Sequence, residues 1–165
     1  MRTANSPTTK KVKTMSLFDT ISNDIQQAMK AREKVRLEAL RGVKKEFLEA
    51  KSAPGAGGEL SDENALKIIT KLVKQRRESA RIYEENNRPE LAANELAEAA
   101  VIEEYLPKQL SPEEIETEVR AIVAETGAEG PKDMGKVMKV ATKQFAGRAD
   151  GRAVSDTVKR VLSSL

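Results

Sequence analysis

Four lysines recur at intervals of three or four residues: Lys132, Lys136, Lys139 and Lys143. In a helix of 3.6 residues per turn this spacing places their ammonium groups in one narrow row, which we name the lysine stripe. The opposite side is apolar and would pack: Met134, Val137, Met138, Ala141 and Phe145. Gly135, near the start, would allow close approach of another helix or of RNA. A cationic face suits a nucleic-acid backbone, and the alternative is a solvated face that provides solubility.

A basic turn at residues 147–152 (GRADGR) follows the stripe and is the second candidate for anion binding. Gly147 and Gly151 would let a phosphate approach the backbone, and the guanidinium groups of Arg148 and Arg152 would bind its oxygens in pairs. The structural alternative is that Gly147 only ends one helix while the next begins nearby. Both roles are compatible, since a well-formed turn would also orient the two arginines.

A second basic row occurs earlier, opposite an apolar stripe: Lys67, Lys71, Lys74 and Arg81. Glu78 interrupts this row and can pair with Lys74 or Arg81 at helical spacing. We therefore interpret it as a solvated, salt-bridged face and at most a secondary contact surface.

Composition excludes several chemistries. The chain of 165 residues has no Cys and no His, so disulfides and the usual zinc, haem and nucleophile–histidine sites lose their residues. The Gly-rich segment 52–58 lacks the Lys-Ser/Thr that follows in a Walker loop. We expect no catalytic site, no metal and no cofactor. No apolar run of 18 residues occurs, which predicts a soluble, cytoplasmic protein without a membrane role.

The elements that would position these residues are all helical. A third of the chain is charged and only 3% is aromatic, a composition typical of amphipathic helices. We predict six helices and no strand, in two small subdomains of three helices each: residues 15–108 and residues 109–165. Residues 1–14 are basic and free of acid, and we expect a disordered leader there.

Helix starts and stops are marked by residue type. Ser16, Ser61 and Ser111 are predicted N-caps, and Pro89 suits a first turn. The first helix is predicted to run unbroken to about residue 51 and to bury apolar residues that include Met29, Val35 and Leu48. The helix after Pro89 is predicted to bury Leu91 and Leu96 and to expose an acidic face: Glu90, Glu95, Glu98, Glu103 and Glu104.

Six segments together carry a family resemblance. Residues 135–139 (GKVMK), residues 147–150 (GRAD) and the apolar helix after them resemble the closing segment of the B subunit of glutamine-dependent tRNA amidotransferases. The start MSLFDTI at Met15, residues 73–79 (VKQRRES) and residues 105–110 (YLPKQL) are similar to the stand-alone relatives of that tail, the YqeY-like proteins (GatB/YqeY domain). The resemblance covers about residues 15–165.

The resemblance implies an all-α fold of two helical subdomains. It also implies that the tail lies against the elbow of tRNA, with Gly135, Lys139, Gly147 and Arg148 as the matching positions. Seven residues separate Lys139 from Gly147 here, where the amidotransferase tail usually has three.

Three functions remain open at this point. The first is a noncatalytic tRNA-binding module or accessory factor of amidotransferase-related systems. In those systems a carbon–nitrogen ligase uses glutamine as amido donor. A possible protein partner would come from such a complex or from another translation complex. The second is a protein-interaction adaptor with no RNA role. An amidotransferase-type enzyme is the third and is disfavoured, because the chain shows no ATP site and no nucleophile with a recognisable base.

Overall fold

The computed structural model describes residues 15–165, which form seven α-helices, one 3₁₀ turn and no strand. The prediction of an all-α fold is confirmed, while the predicted leader lies outside the described residues. In chain order the elements are α1 (Leu17–Lys30), α2 (Lys34–Lys51), α3 (Asp62–Glu85), α4 (Pro89–Glu103), α5 (Pro112–Thr126), the 3₁₀ turn (Pro131–Asp133), α6 (Met134–Gln144) and α7 (Gly151–Ser163).

Local sequence signals set most helix boundaries. The side chains of Ser16, Ser61 and Ser111 each accept a hydrogen bond from the backbone N–H three residues later, at 3.1 to 3.2 Å. These three N-cap predictions are confirmed. Pro89 occupies the first position of α4, and Gly127 ends α5 with a left-handed φ of 69°.

The first predicted helix is divided in two, which corrects the helix count of the N-terminal part from three to four. Arg32 adopts a left-handed φ of 57°, and the N–H of Glu33 bonds back to the carbonyl of Ala28 at 3.0 Å. An unbroken helix of 35 residues would extend about 50 Å, whereas the break lets α2 fold back on α1. Three residues predicted as buried are about half exposed: Met29, Val35 and Leu48.

Two separate hydrophobic clusters form. The first belongs to the N-terminal unit, α1 to α4, and is built around Ile21, Leu40, Phe47, Ile69 and Ile102. The second belongs to the C-terminal unit, α5 to α7, and is built around Val119, Ile122, Val137, Val158 and Leu162. The chain passes from one cluster to the other through residues 107–109.

Helix α4 is oriented differently from the prediction. Its C-terminal acids pair with arginines of α2 and α3: Glu98 with Arg76, Glu103 with Arg77, and Glu104 with Arg36. The pair between Arg76 and Glu98 has side chains only 18% and 15% exposed. Gly42 of α2 makes room for it, since a Cβ there would lie 3.0 Å from the Arg76 guanidinium.

The solvent-facing side of α4 is consequently mainly apolar, although Glu90 stays exposed there as predicted. Ala93, Leu96, Ala97 and Ala100 are all exposed and share one face of the helix by their spacing. We name this surface the α4 apolar face. Leu91 and Leu96, which were predicted to be buried, are 42% and 44% exposed. The arginines of α2 and α3 favour this orientation, because they pair with Glu98, Glu103 and Glu104, of which Glu98 lies on the inner side of α4.

The two units meet at a small set of contacts near the basic turn. The N–H of Leu110 donates to the carbonyl of Arg148 at 2.9 Å, and the Gln109 side-chain amide donates to the carbonyl of Gly147 at 2.7 Å. Lys74 of α3 pairs with Asp150 at 3.4 Å. These contacts hold the turn between α6 and α7 against the N-terminal unit. No helix within residues 15–165 is both long and apolar enough to cross a membrane.

Candidate nucleic-acid interface

The lysine stripe lies on the solvent side of the C-terminal unit. Lys136, Lys139 and Lys143 are exposed on α6, where their positions span about 60° around the helix axis. Lys132 is exposed in the 3₁₀ turn that precedes α6. Val137, Ala141 and Phe145 are buried on the opposite side, so the predicted division of this helix into a cationic and an apolar face is present.

The three lysines of the stripe on α6 lie in a segment without acids. The sequence has no Asp or Glu from residue 134 to residue 149. Within residues 15–165, none of the four lysines has a carboxylate oxygen closer than 4 Å. Their ammonium groups are therefore free to release counterions when a polyanion binds.

The second basic row, on α3, is largely paired. Lys67 pairs with Glu63 at 3.3 Å, and Lys74 pairs with Asp150. Arg81 pairs with both Glu78 and Glu85, and its hydrogen bond to Glu78 raises the pKa of Arg81. The row thus contributes far less unpaired charge than the lysine stripe, as the spacing of Glu78 indicated for Arg81.

Arg148 has a partner inside the protein. Its guanidinium binds both carboxylate oxygens of Glu118 on α5, at 2.8 and 3.2 Å, and donates to the carbonyl of Gln144 at 3.1 Å. These hydrogen bonds connect the basic turn to α5, so the structure favours a role for Arg148 in positioning the turn. Arg152 is exposed in the first turn of α7 and has no ion pair among residues 15–165.

The three glycines of the predicted site differ in their surroundings. Gly147 is buried with a left-handed φ of 73°, and a Cβ there would lie 3.0 Å from the Cβ of Leu66 on α3. Its backbone is therefore approached by Leu66. Gly135 and Gly151 face open space. Among residues 15–165, no helix packs against Gly135, so the helix-packing interpretation of that residue is wrong.

Two residues that form ion pairs in this region carried no recognisable signal in the sequence. Glu118 lies 30 positions before Arg148, and Lys74 lies 76 positions before Asp150. Asp150 occupies the N-cap position of α7, yet its carboxylate caps no backbone N–H and pairs with Lys74. Only the fold brings these charges together, and both pairs fix the shape of the basic turn.

The fold and the site define an all-α protein of two helical units with a cationic surface on the second unit. The family model described as Yqey-like protein matches residues 18–162. The chain belongs to this family, and the predicted resemblance to YqeY-like proteins is confirmed.

Two relatives share the name altered inheritance of mitochondria protein 41, mitochondrial. The relative from Vanderwaltozyma polyspora is 30% identical over 105 residues, which are 60% of this chain and 54% of that protein. The relative from Meyerozyma guilliermondii is 36% identical over 90 residues, which are 54% of this chain and 46% of that protein. The aligned part thus spans about half the length of both relatives.

Proposed function

We propose that this protein is a noncatalytic tRNA-binding module or accessory factor, related to tRNA-dependent amidotransferase systems, which contacts the RNA backbone through the lysine stripe. The observation that carries the proposal is the unpaired charge of the stripe. Four exposed lysines lie next to one another without an ion pair among residues 15–165, while the row on α3 is largely paired. The resemblance of the same segment to the amidotransferase tail supports tRNA as the polyanion.

The proposed contact set follows from which cations are free. Lys132, Lys136, Lys139 and Lys143 bind phosphates, and the exposed Arg152 extends this surface toward α7. Arg148 supports the turn through Glu118. The C-terminal unit has a single aromatic residue, Phe145, which is buried. Without an exposed stacking platform, recognition depends on the RNA backbone and its shape.

The compartment of the proposed RNA is a separate matter. The cytoplasmic location stays a prediction, while the names of both relatives call those proteins mitochondrial. The proposed contact is chemically the same in either compartment, because every tRNA offers the same phosphate backbone.

A protein-interaction adaptor is the second candidate, and the α4 apolar face favours it. Ala93, Leu96, Ala97 and Ala100 form an exposed apolar surface, the kind of surface to which another helix packs. This face and the lysine stripe belong to different units. The two candidate functions therefore predict different sensitive residues.

Salt-dependent binding tests the RNA proposal. A variant with Lys136→Gln, Lys139→Gln and Lys143→Gln is compared with the unsubstituted protein for binding to total tRNA and to duplex DNA of similar length. Each lost phosphate contact lowers the slope of log affinity against log salt concentration by about 0.7 to 0.9. We expect the slope of log affinity against log salt concentration to be smaller by about 2 to 3 in the variant. The unsubstituted protein should bind tRNA more tightly than duplex DNA.

A matched control removes the same charge from another surface. Lys30, Lys34 and Lys45 are exposed on the N-terminal unit and have no ion pair within residues 15–165, so their replacement by Gln should leave the slope unchanged. An equal loss in both variants would show that net charge alone drives binding. Unchanged binding after loss of the stripe, or equal binding to tRNA and DNA, would refute the proposal.

A further inference from the structure

A cleft of about 310 Å³ lies between the two helical units. Residues of α3 form one wall, and α6, α7 and the basic turn form the other. This volume is at the lower end of the range of about 300–1,000 Å³ for small-molecule sites, which often lie between domains.

Most of the cleft surface is apolar. Met138, Phe145 and Val154 line the wall of the C-terminal unit. The hydroxyl of Thr70 donates to the carbonyl of Leu66 at 2.8 Å, and the hydroxyl of Thr142 donates to the carbonyl of Met138 at 2.7 Å. Because these hydroxyls already donate within their own helices, the lysine ammonium groups are the polar groups best placed for a ligand.

The charge of the lining is unequal. Three lysines, Lys67, Lys71 and Lys74, meet a single acid, Asp150. Lys74 pairs with Asp150 and Lys67 pairs with Glu63. Lys71 is exposed and has no carboxylate oxygen within 4 Å among residues 15–165. A ligand that complements this lining has one anionic group near Lys71 and an apolar body.

We propose that this cleft binds a small amphipathic carboxylate, with its apolar body against Met138, Phe145 and Val154 and its carboxylate at Lys71. Burial of the apolar body supplies the hydrophobic part of the affinity, and the ammonium group of Lys71 selects the anion. The chain's own residues 1–14 do not complement the cleft, since they carry four cations and no acid. The proposal is independent of RNA binding, because Met138 faces away from the lysine stripe on α6.

Titration with decanoate tests the proposal. Methyl resonances of the full chain are followed by NMR with decanoate kept below its micelle concentration, and decanol serves as the uncharged analogue. We expect saturable binding at one site, with shifts at Met138 and Val154, and clearly weaker binding of decanol. Lys71→Glu should lower the affinity for decanoate about tenfold, since it replaces attraction by repulsion.

A second variant fills the cleft without disturbing the backbone. Gly151 lines the cleft, and a Cβ there meets no atom within 4 Å, so Gly151→Leu should also lower the affinity about tenfold by occupying apolar volume. Lys45→Glu, with the same charge change on an exposed lysine that does not line the cleft, should bind decanoate normally. Circular dichroism of each variant verifies the fold.

Four results would overturn the proposal: no saturable decanoate binding, equal binding of decanol, unchanged affinity in folded Lys71→Glu and Gly151→Leu, or shifts confined to the α4 apolar face. None of them bears on the lysine stripe. The tRNA-binding proposal for the lysine stripe is tested separately, by the salt dependence of binding.

Discussion

Tyr105 joins the end of α4 to α1. Its phenol donates a hydrogen bond to the carboxylate of Asp24 and packs against the N-terminal cluster. Burial raises the pKa of Tyr105 well above its usual value of 10.0, and the hydrogen bond to Asp24 adds to the shift. The protonated phenol therefore stabilises the folded state just before the chain enters the segment that joins the two units.

The sign of this shift gives a pH prediction. Because the folded-state pKa lies above the unfolded one, the contribution of Tyr105 to stability is complete below pH 10 and is lost as the pH rises beyond it. In a Tyr83→Phe variant, where Tyr105 is the remaining tyrosine, ultraviolet titration of tyrosinate should give a midpoint above 10. Adding Asp24→Asn should lower that midpoint, because it removes the negative charge of Asp24, which disfavours the tyrosinate form of Tyr105.

The urea-unfolded Tyr83→Phe chain is the control, and its midpoint should be near 10. A native midpoint at that same value would contradict the arrangement of Tyr105 and Asp24.

Residues whose role depends on nearby sequence were predictable, and residues with distant partners were not. Ser16, Ser61 and Ser111 act on N–H groups three positions away, and the lysine stripe follows from helical spacing. Arg148 was predicted to bind phosphate because its neighbours resemble an anion-binding turn. Its pairing with Glu118 depends on how α5 packs, which local sequence does not encode.

At the scale of elements, Gly147 determines how closely the basic turn packs against α3. A left-handed φ costs a residue with a side chain about 1–2 kcal/mol, and Leu66 leaves no free space beside it. The close contact places Asp150 within reach of Lys74. The position of the turn therefore depends on a residue that has no side chain.

Substitution of Gly147 by Ala should destabilise the protein by at least about 1–2 kcal/mol in urea unfolding, from the left-handed φ alone. Leu66→Ala in the same chain should recover part of any further loss, because it relieves the steric contact but not the backbone strain. Gly151→Ala is the matched control. It has open space around it and no left-handed φ, so its stability should change little, and equal losses at both glycines would contradict this explanation.

The two errors in predicting the elements have one physical origin. The break at Arg32 lies in a stretch without Gly or Pro, and three acids near the end of α4 pair with Arg36, Arg76 and Arg77. Periodicity identifies a helix and an apolar side, but it does not identify the neighbours of that helix. In α4, many small apolar residues leave its orientation to be decided by ion pairs from other helices.

At the scale of the molecule, the two proposed sites make different demands on the fold. The lysine stripe and the core beneath it belong entirely to the C-terminal unit, whose cluster is separate from that of the N-terminal unit. The cleft needs both units, because Lys71 stands on α3 while Met138 and Val154 stand on α6 and α7. Separating the units should therefore separate the two binding properties.

The fragment of residues 109–165 should fold alone, since it contains a complete cluster and many domains of about 55–65 residues fold independently. Circular dichroism and cooperative urea unfolding measure this first. The folded fragment should then retain the salt-dependent tRNA binding of the full chain and lose decanoate binding, because the wall formed by α3 is absent. Loss of tRNA binding by a folded fragment would mean that the N-terminal unit supplies phosphate contacts. Retained decanoate binding would mean that Lys71 is not the anion's partner.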